Sequence, residues 1–219
     1  MNKDVVLIDL DGTLTDSAEG VLNSIRYALN KVGVPIPPLD ILMMFIGPPL
    51  LESYEKYCGL SGEKGWEALW AYREYFNEKG YLENKVYEGI PECLERLKAA
   101  GKRMIVATSK PEDYSRKIID VFGLSPYFEF VSGASLDETR VAKQDIIHYA
   151  IEECGLADPS RMIMVGDRMH DVKGAHAEGL ECIGVLYGYG SREELNEAGA
   201  DYIAETPGGI ADLILAIEK

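Results

Sequence analysis

Residues Val5-Val6-Leu7-Ile8 form an unbroken apolar run that stops on Asp9-Leu10-Asp11-Gly12-Thr13-Leu14-Thr15, placing two carboxylates one residue apart before a glycine. A short apolar run bounded by Asp and Gly reads as a strand buried on both faces, which requires a parallel sheet covered on both sides. The carboxylates then emerge at the strand's C-terminal end, the edge of an open parallel sheet where ligands bind. Alternation sends Asp9 and Asp11 to the same side, provided the chain stays extended that far. Two neighbouring carboxylates repel unless a cation lies between them, so the pair points to Mg2+ as well as to catalysis. The bland alternative is a polar strand end entering a glycine turn.

From about residue 86 onward, helical patterns alternate with short apolar runs. The pattern predicts helices over 90–100, 111–122, 142–154, 171–178, 191–198 and from 208 or 209 to 217. The strands expected between them cover 103–107, 128–131, 162–165, 182–185 and 202–204. Strand and helix taking turns implies an α/β fold with a doubly wound parallel sheet. Residues 17–85 break that rhythm. Val21, Leu22, Ile25, Ala28, Leu29 and Val32 recur at helical spacing before Gly33, and no strand is expected in the stretch. We therefore expect a core of 1–16 and 86–219 with an inserted helical cap, 17–85, joined by linkers near 15–17 and 84–89.

Lys and Arg total 22 against 37 for Asp and Glu, a net charge of −15, so attraction to a nucleic acid polymer is disfavoured. The same field opposes a small anionic substrate unless metal ions and particular cationic side chains reverse it locally. The cysteines, Cys58, Cys93, Cys154 and Cys182, are widely spaced and read as reduced packing residues. The sequence shows no basic leader with an apolar signal core and no apolar stretch approaching about 18 residues, so a cytoplasmic protein without a membrane partner is expected. Oligomeric state is left open.

A second acidic constellation follows Met162-Ile163-Met164-Val165, in Gly166-Asp167-Arg168-Met169-His170-Asp171. Asp167 at another strand's C-terminal edge would complete an oxygen-rich site suited to Mg2+. Asp171 would either ligate directly or orient a metal-bound water; the alternative is a glycine turn with Asp as a helix N-cap. Thr108 and Ser109 end the strand expected over 103–107, where a hydroxyl can donate to a phosphate oxygen or cap the helix after Pro111.

Asp9-Leu10-Asp11-Gly12-Thr13-Leu14-Thr15 resembles the first motif of the haloacid dehalogenase-like hydrolases, and Thr108, Lys143 and Gly166–Asp171 resemble the next three, in order. The resemblance implies that Asp9 is the nucleophile and that Asp11 protonates the leaving group and later activates water. It implies that Lys143 supplies a positive charge to the transferring phosphoryl group, with Arg140 and Lys110 as nearby alternatives. It implies Mg2+ held by Asp9, Asp11, Asp167 and Asp171. The chain is most similar to the phosphoglycolate phosphatase-like branch, and Ser135–Arg140 is similar to bacterial members described as 5'-nucleotidases. The activity implied is Mg2+-dependent hydrolysis of a small phosphorylated metabolite, a nucleoside 5'-monophosphate or phosphoglycolate. The alternative is a sugar-phosphate mutase of the beta-phosphoglucomutase type, which must exclude water from its aspartyl-phosphate. Dehalogenation needs neither the acid at Asp11 nor a metal, and a non-catalytic module would not keep every role filled.

Substrate choice would fall to the cap. Phe45-Ile46-Gly47-Pro48-Pro49 is a rigid turn, either a loop reaching over the phosphate, with Gly47 against substrate, or a plain connector. Trp66, Leu69, Trp70, Arg73 and Phe76 fall at helical spacing and are expected as cap core rather than as a platform for a nucleobase. Arg73 would bind a second substrate anion or be solvated. Tyr187-Gly188-Tyr189-Gly190 reads as a mobile loop without assignable chemistry. His148, His170 and His176 show no metal-ligand pairing, with His170 alone near the site.

Overall fold

The structure is a computed structural model, and it describes residues 3–217. In chain order its elements are β1 (Val5–Ile8), β2 (Thr15–Asp16), α1 (Ala18–Lys31), α2 (Leu39–Met43), α3 (Leu50–Cys58) and α4 (Gly62–Tyr75), the last continued by a π-helical turn at Phe76–Gly80. After β3 (Lys85–Val86) come α5 (Ile90–Ala99), β4 (Arg103–Pro111), α6 (Glu112–Val121), β5 (Phe130–Ala134), α7 (Lys143–Glu153), β6 (Met162–Gly166), α8 (Met169–Ala177), β7 (Glu181–Val185), α9 (Arg192–Ala198), β8 (Tyr202–Ala204) and α10 (Pro207–Ala216). The chain forms two units, one of Asp16–Lys85 and one of the residues before and after it. Contrary to expectation, a strand does occur where 17–85 ends: Lys85–Val86 pairs with Thr15–Asp16 in a two-stranded sheet.

The α/β unit is built on six strands in the order β5-β4-β1-β6-β7-β8, with every neighbouring pair parallel. The four residues of β1 are all buried, as their composition requires. Val5 and Leu7 join Ile105, Ala107, Met162 and Met164 of the adjacent strands in one core with Ile146, Ile147 and Ala150 of α7 and Val172 and Ala175 of α8. The intervening strand residues, Val6, Ile8, Met104, Val106, Ile163 and Val165, are at most 2% exposed as well, so both sheet faces are covered. Burying each such side chain contributes about 1.5–3 kcal/mol. Ile8 lies opposite Val106 on one side and Val165 on the other. That register sets Asp9, Ala107 and Gly166, the next residue of each chain, at one level toward the sheet's C-terminal edge.

β4 runs through Pro111 rather than ending at Ala107. Its continuation pairs Thr108 with Gly133 and Pro111 with Ala134, across an irregularity that accommodates a residue lacking an N–H. The following helix therefore begins at Glu112 with Pro111 as its N-cap and no side-chain cap bond. Neither Thr108 nor Ser109 caps it. Among the described residues no helix is long and apolar enough to cross a membrane. All four cysteines are free thiols.

The helical unit packs α1 against α4 and the π-helical turn. Leu69, Tyr72 and Phe76 are buried, and the rings of Tyr72 and Phe76 stack with centroids 5.5 Å apart. Trp70, expected in this core, is 59% exposed. Adjacent residues are about 100° apart around a helix, so with Leu69 facing inward Trp70 turns away. Arg73 is buried rather than solvated, and its guanidinium carbon lies 5.0 Å from the Trp70 ring centroid, a cation–π contact. Gly47 lies in the turn between α2 and α3 at φ +106°, a conformation that favours glycine.

Candidate active site

Asp9 follows β1 directly, and its backbone N–H donates to the Val165 carbonyl at 2.9 Å, prolonging the β1–β6 ladder by one step. The carboxylate is thereby delivered to the C-terminal edge of the central strand. Asp167 follows β6, and Asp171 sits in the first turn of α8. The ligand oxygens of Asp9, Asp167 and Asp171 all lie within 4.8 Å of one another, and all three residues are buried.

Lys143, the first residue of α7, points its ammonium into this group. Its Nζ is 2.8 Å from Asp9 Oδ1, 2.7 Å from Asp171 Oδ1 and 3.0 Å from the Ala107 carbonyl. The lysine stem passes over Gly174 of α8, where a Cβ would come within 2.8 Å of Lys143 Cγ. Glycine at 174 is what admits the stem.

The electrostatics follow from burial. Desolvation pushes the Asp9 carboxyl up to about 6, although the Lys143 ammonium pulls against it. Burial, reinforced by Asp171 and Asp9, raises Asp167 well above the usual carboxylate range. Burial also opposes the charge on Lys143, but Asp171 and Asp9 outweigh it and hold the ammonium above its ordinary value. Three carboxylates against one ammonium leave two negative charges, the deficit a divalent cation would fill. Asp167 Oδ1 supports that fit, being buried without a hydrogen-bond partner among the described residues. The donor set is all oxygen, as a hard cation prefers.

Asp11 stands apart from this group. β1 ends at Ile8, so strand alternation does not carry through the turn, and the Asp11 carboxylate pairs instead with Lys110 Nζ at 2.6 Å. Thr108 is 1% exposed, and its Oγ1 accepts the Lys110 backbone N–H at 3.2 Å. Ser109, next along β4, is half-buried.

A model of the family described as haloacid dehalogenase-like hydrolase matches residues 6–185. The chain belongs to that family. A relative named 5'-nucleotidase, from Pseudomonas aeruginosa, is 45% identical over 190 residues, which cover 87% of this chain and 86% of that protein. Tyrosine-protein kinase PtkA of Mycobacterium tuberculosis is 42% identical over 88% of this chain and 65% of that protein. A solved structure, a predicted phosphatase from Clostridium acetobutylicum, superposes with a TM-score of 0.94 at 44% identity, covering 99% of this chain and 100% of that one. The protein is thus a haloacid dehalogenase-like phosphatase, a phosphoric monoester hydrolase.

Within this haloacid dehalogenase-like core the structure brings Asp9, Lys143, Asp167 and Asp171 into direct contact or close approach. Asp11 and Lys110 form a separate pair, and Gly47 and Arg73 belong to the helical unit. Asp171 does serve its helix terminus, accepting the Arg168 N–H at 3.0 Å, but it occupies the third helical position while Arg168 is the N-cap. The three histidines stay outside the carboxylate group, His148 against Glu178 and His176 against Asp201. Two supports escaped sequence reasoning. Glu194 Oε1 accepts from Met169 N and from Arg168 Nε, both at 2.9 Å, fixing the turn that carries Asp167. Tyr189 N donates to Asp167 Oδ2 at 2.7 Å, from a loop expected to carry no chemistry. Its glycines beside a strand's C-terminal end were the available signal.

Proposed function

We propose that this enzyme is a Mg2+-dependent cytoplasmic phosphatase that hydrolyses a small phosphorylated metabolite through an aspartyl-phosphate on Asp9. A nucleoside 5'-monophosphate is the preferred substrate and phosphoglycolate the second. The observation that carries the reading is Asp9 itself: a buried carboxylate at the end of the central strand, paired to Lys143 and grouped with Asp167 and Asp171. Asp9, Asp167 and Asp171 would hold Mg2+, which when bound supplies positive charge against the phosphate and the carboxylates. The preference for a nucleotide is supported by the 45% identical relative named 5'-nucleotidase.

In the first half-reaction an Asp9 oxygen attacks phosphorus, the ester P–O bond breaks, and Asp11, once protonated and parted from Lys110, gives the departing alkoxide that proton. In the second, Asp11 takes a proton from water, whose oxygen attacks the phosphorus and releases inorganic phosphate and the Asp9 carboxylate. Lys143 opposes negative charge on the transferring group, and the Thr108 hydroxyl donates to one of its oxygens. The lysine's short bond to Asp9 also keeps the nucleophile ionised and aimed.

Steady-state phosphate release from nucleoside monophosphates and phosphoglycolate, with Mg2+ or with EDTA, tests the reading. We expect turnover with Mg2+ only and a loss of at least about a hundredfold in Asp9→Asn and Lys143→Met. Metal-independent turnover, or normal activity in Asp9→Asn, would reject it. Transfer to a second sugar phosphate without release of inorganic phosphate would favour the mutase instead.

A further inference from the structure

The loop Tyr187-Gly188-Tyr189-Gly190 leaves β7 and lies directly on Asp167 and on the turn after β1. Oδ2 of Asp167 is enclosed by it. Tyr189 N donates to that oxygen at 2.7 Å, while a Cβ at Gly188 would lie 2.6 Å from it and a Cβ at Gly12 only 2.3 Å. Gly190 approaches the Asp167 carbonyl so closely that a Cβ there would stand 1.9 Å away. No side chain fits at any of the three positions. The other oxygen, Oδ1, is buried without a hydrogen-bond partner among the described residues.

We propose that this loop is a positioning device for the cation site: it engages and covers Oδ2 of Asp167 and leaves Oδ1 as the oxygen that residue presents to a divalent ion. The inference rests on the cation reading above. A carboxylate free to rotate can offer either oxygen, or both, and must be ordered when the ion arrives. Here the ordering is done in advance by a backbone N–H and by glycine surfaces that close off rotation. Tyr187 fastens the loop. Its hydroxyl donates to the Thr13 carbonyl at 2.9 Å, and its ring meets Tyr87 edge-on with centroids 5.0 Å apart. Partners that orient a ligand are typically worth about 10- to 100-fold in metal affinity.

Calorimetric titration of Mg2+ into the purified full-length protein tests the assignment without reference to turnover. Gly188→Ala pushes the loop off Asp167 and should weaken Mg2+ binding by about tenfold or more. Tyr187→Phe keeps the ring and removes only the bond to Thr13; it should weaken binding by about threefold, and it preserves the test if Gly188→Ala does not fold. Gly101→Ala is the comparison for general destabilisation, since Gly101 has φ +76° with open space around its Cα and precedes β4 at the sheet's other edge. It should lower the melting temperature and leave Mg2+ affinity unchanged. Wild-type affinity in both loop variants would overturn the loop assignment alone. A wild-type protein that takes up no Mg2+ would overturn the cation reading and this inference with it.

Discussion

Lys110 Nζ lies 2.6 Å from Oδ2 of Asp11, with the two side chains 5% and 13% exposed. The oxygens grouped on Asp9, Asp167 and Asp171 do not include Asp11, and the two acids of this motif meet two different lysines, Asp9 with Lys143 and Asp11 with Lys110. Removing Lys110 strands a nearly buried carboxylate, and truncating one partner of such a pair costs about 3 kcal/mol. We therefore expect Lys110→Ala to be destabilised by roughly that amount. In the double variant with Asp11→Ala, much of the loss should return, because the uncompensated charge is gone. Denaturant unfolding of the four proteins of the cycle measures the coupling. Additive losses would show that the pair is not coupled in solution.

Gly174 is where α8 admits the stem of Lys143. An added methyl group meets Cγ and Cβ of that lysine at 2.8 and 2.9 Å, and the backbone N of Gln144 at 3.0 Å, so α7 and α8 must separate or the ammonium must withdraw. Overpacking of this kind costs about 1–3 kcal/mol. Gly174→Ala should lose stability of that order, and kcat should fall more than KM changes, because the lysine acts on the transferring group. A variant with unaltered kcat would disconnect the helix contact from catalysis.

Proton binding by the acidic group fixes the direction of the pH response. The folded protein without metal holds a proton on Asp9 up to about pH 6, whereas the unfolded chain releases it near the ordinary 3.8. Between those values the folded state binds more protons, so the metal-free protein loses stability as pH rises through that window. Burial of Asp167 acts in the same sense. A cation must displace those protons, so Mg2+ should bind more tightly as pH rises past about 6, and its stabilisation should be larger near pH 7.5 than near pH 5. Melting curves with and without Mg2+ across that range test the sign. A constant Mg2+-induced shift would contradict it.

Features carried by short-range pattern were legible in the sequence. The apolar run ending on Asp9 announces a central parallel strand, and the alternation after residue 86 announces the layers around it. What escaped depends on partners far along the chain. β4 continues to Pro111 because Gly133 and Ala134 lie alongside, a fact absent from residues 103–111 themselves. Asp11 meets Lys110, a partner 99 residues further along that the strand's own residues do not announce. Trp70 and Arg73 share an expected apolar stripe, yet the tryptophan is the one outside and the arginine the one buried. Periodicity names a helix's stripe without saying where its margins fall. The Tyr187–Gly190 loop was legible only in part: its glycines mark a close approach, but that the approach is to Asp167, with a backbone N–H donating to it, depends on a residue elsewhere in the chain.

The position of β1 between β4 and β6 has a consequence for synthesis. The strand translated first needs neighbours translated much later, one of them only once Met162–Gly166 has been made. Until then the nascent chain carries an apolar segment with at least one unpaired edge, on the β6 side even after β4 has been made, the kind of surface that invites misassociation on the ribosome. A chain stalled before residue 166 should therefore be a chaperone client whatever the quality of its helices, because no earlier segment can close the middle of the sheet.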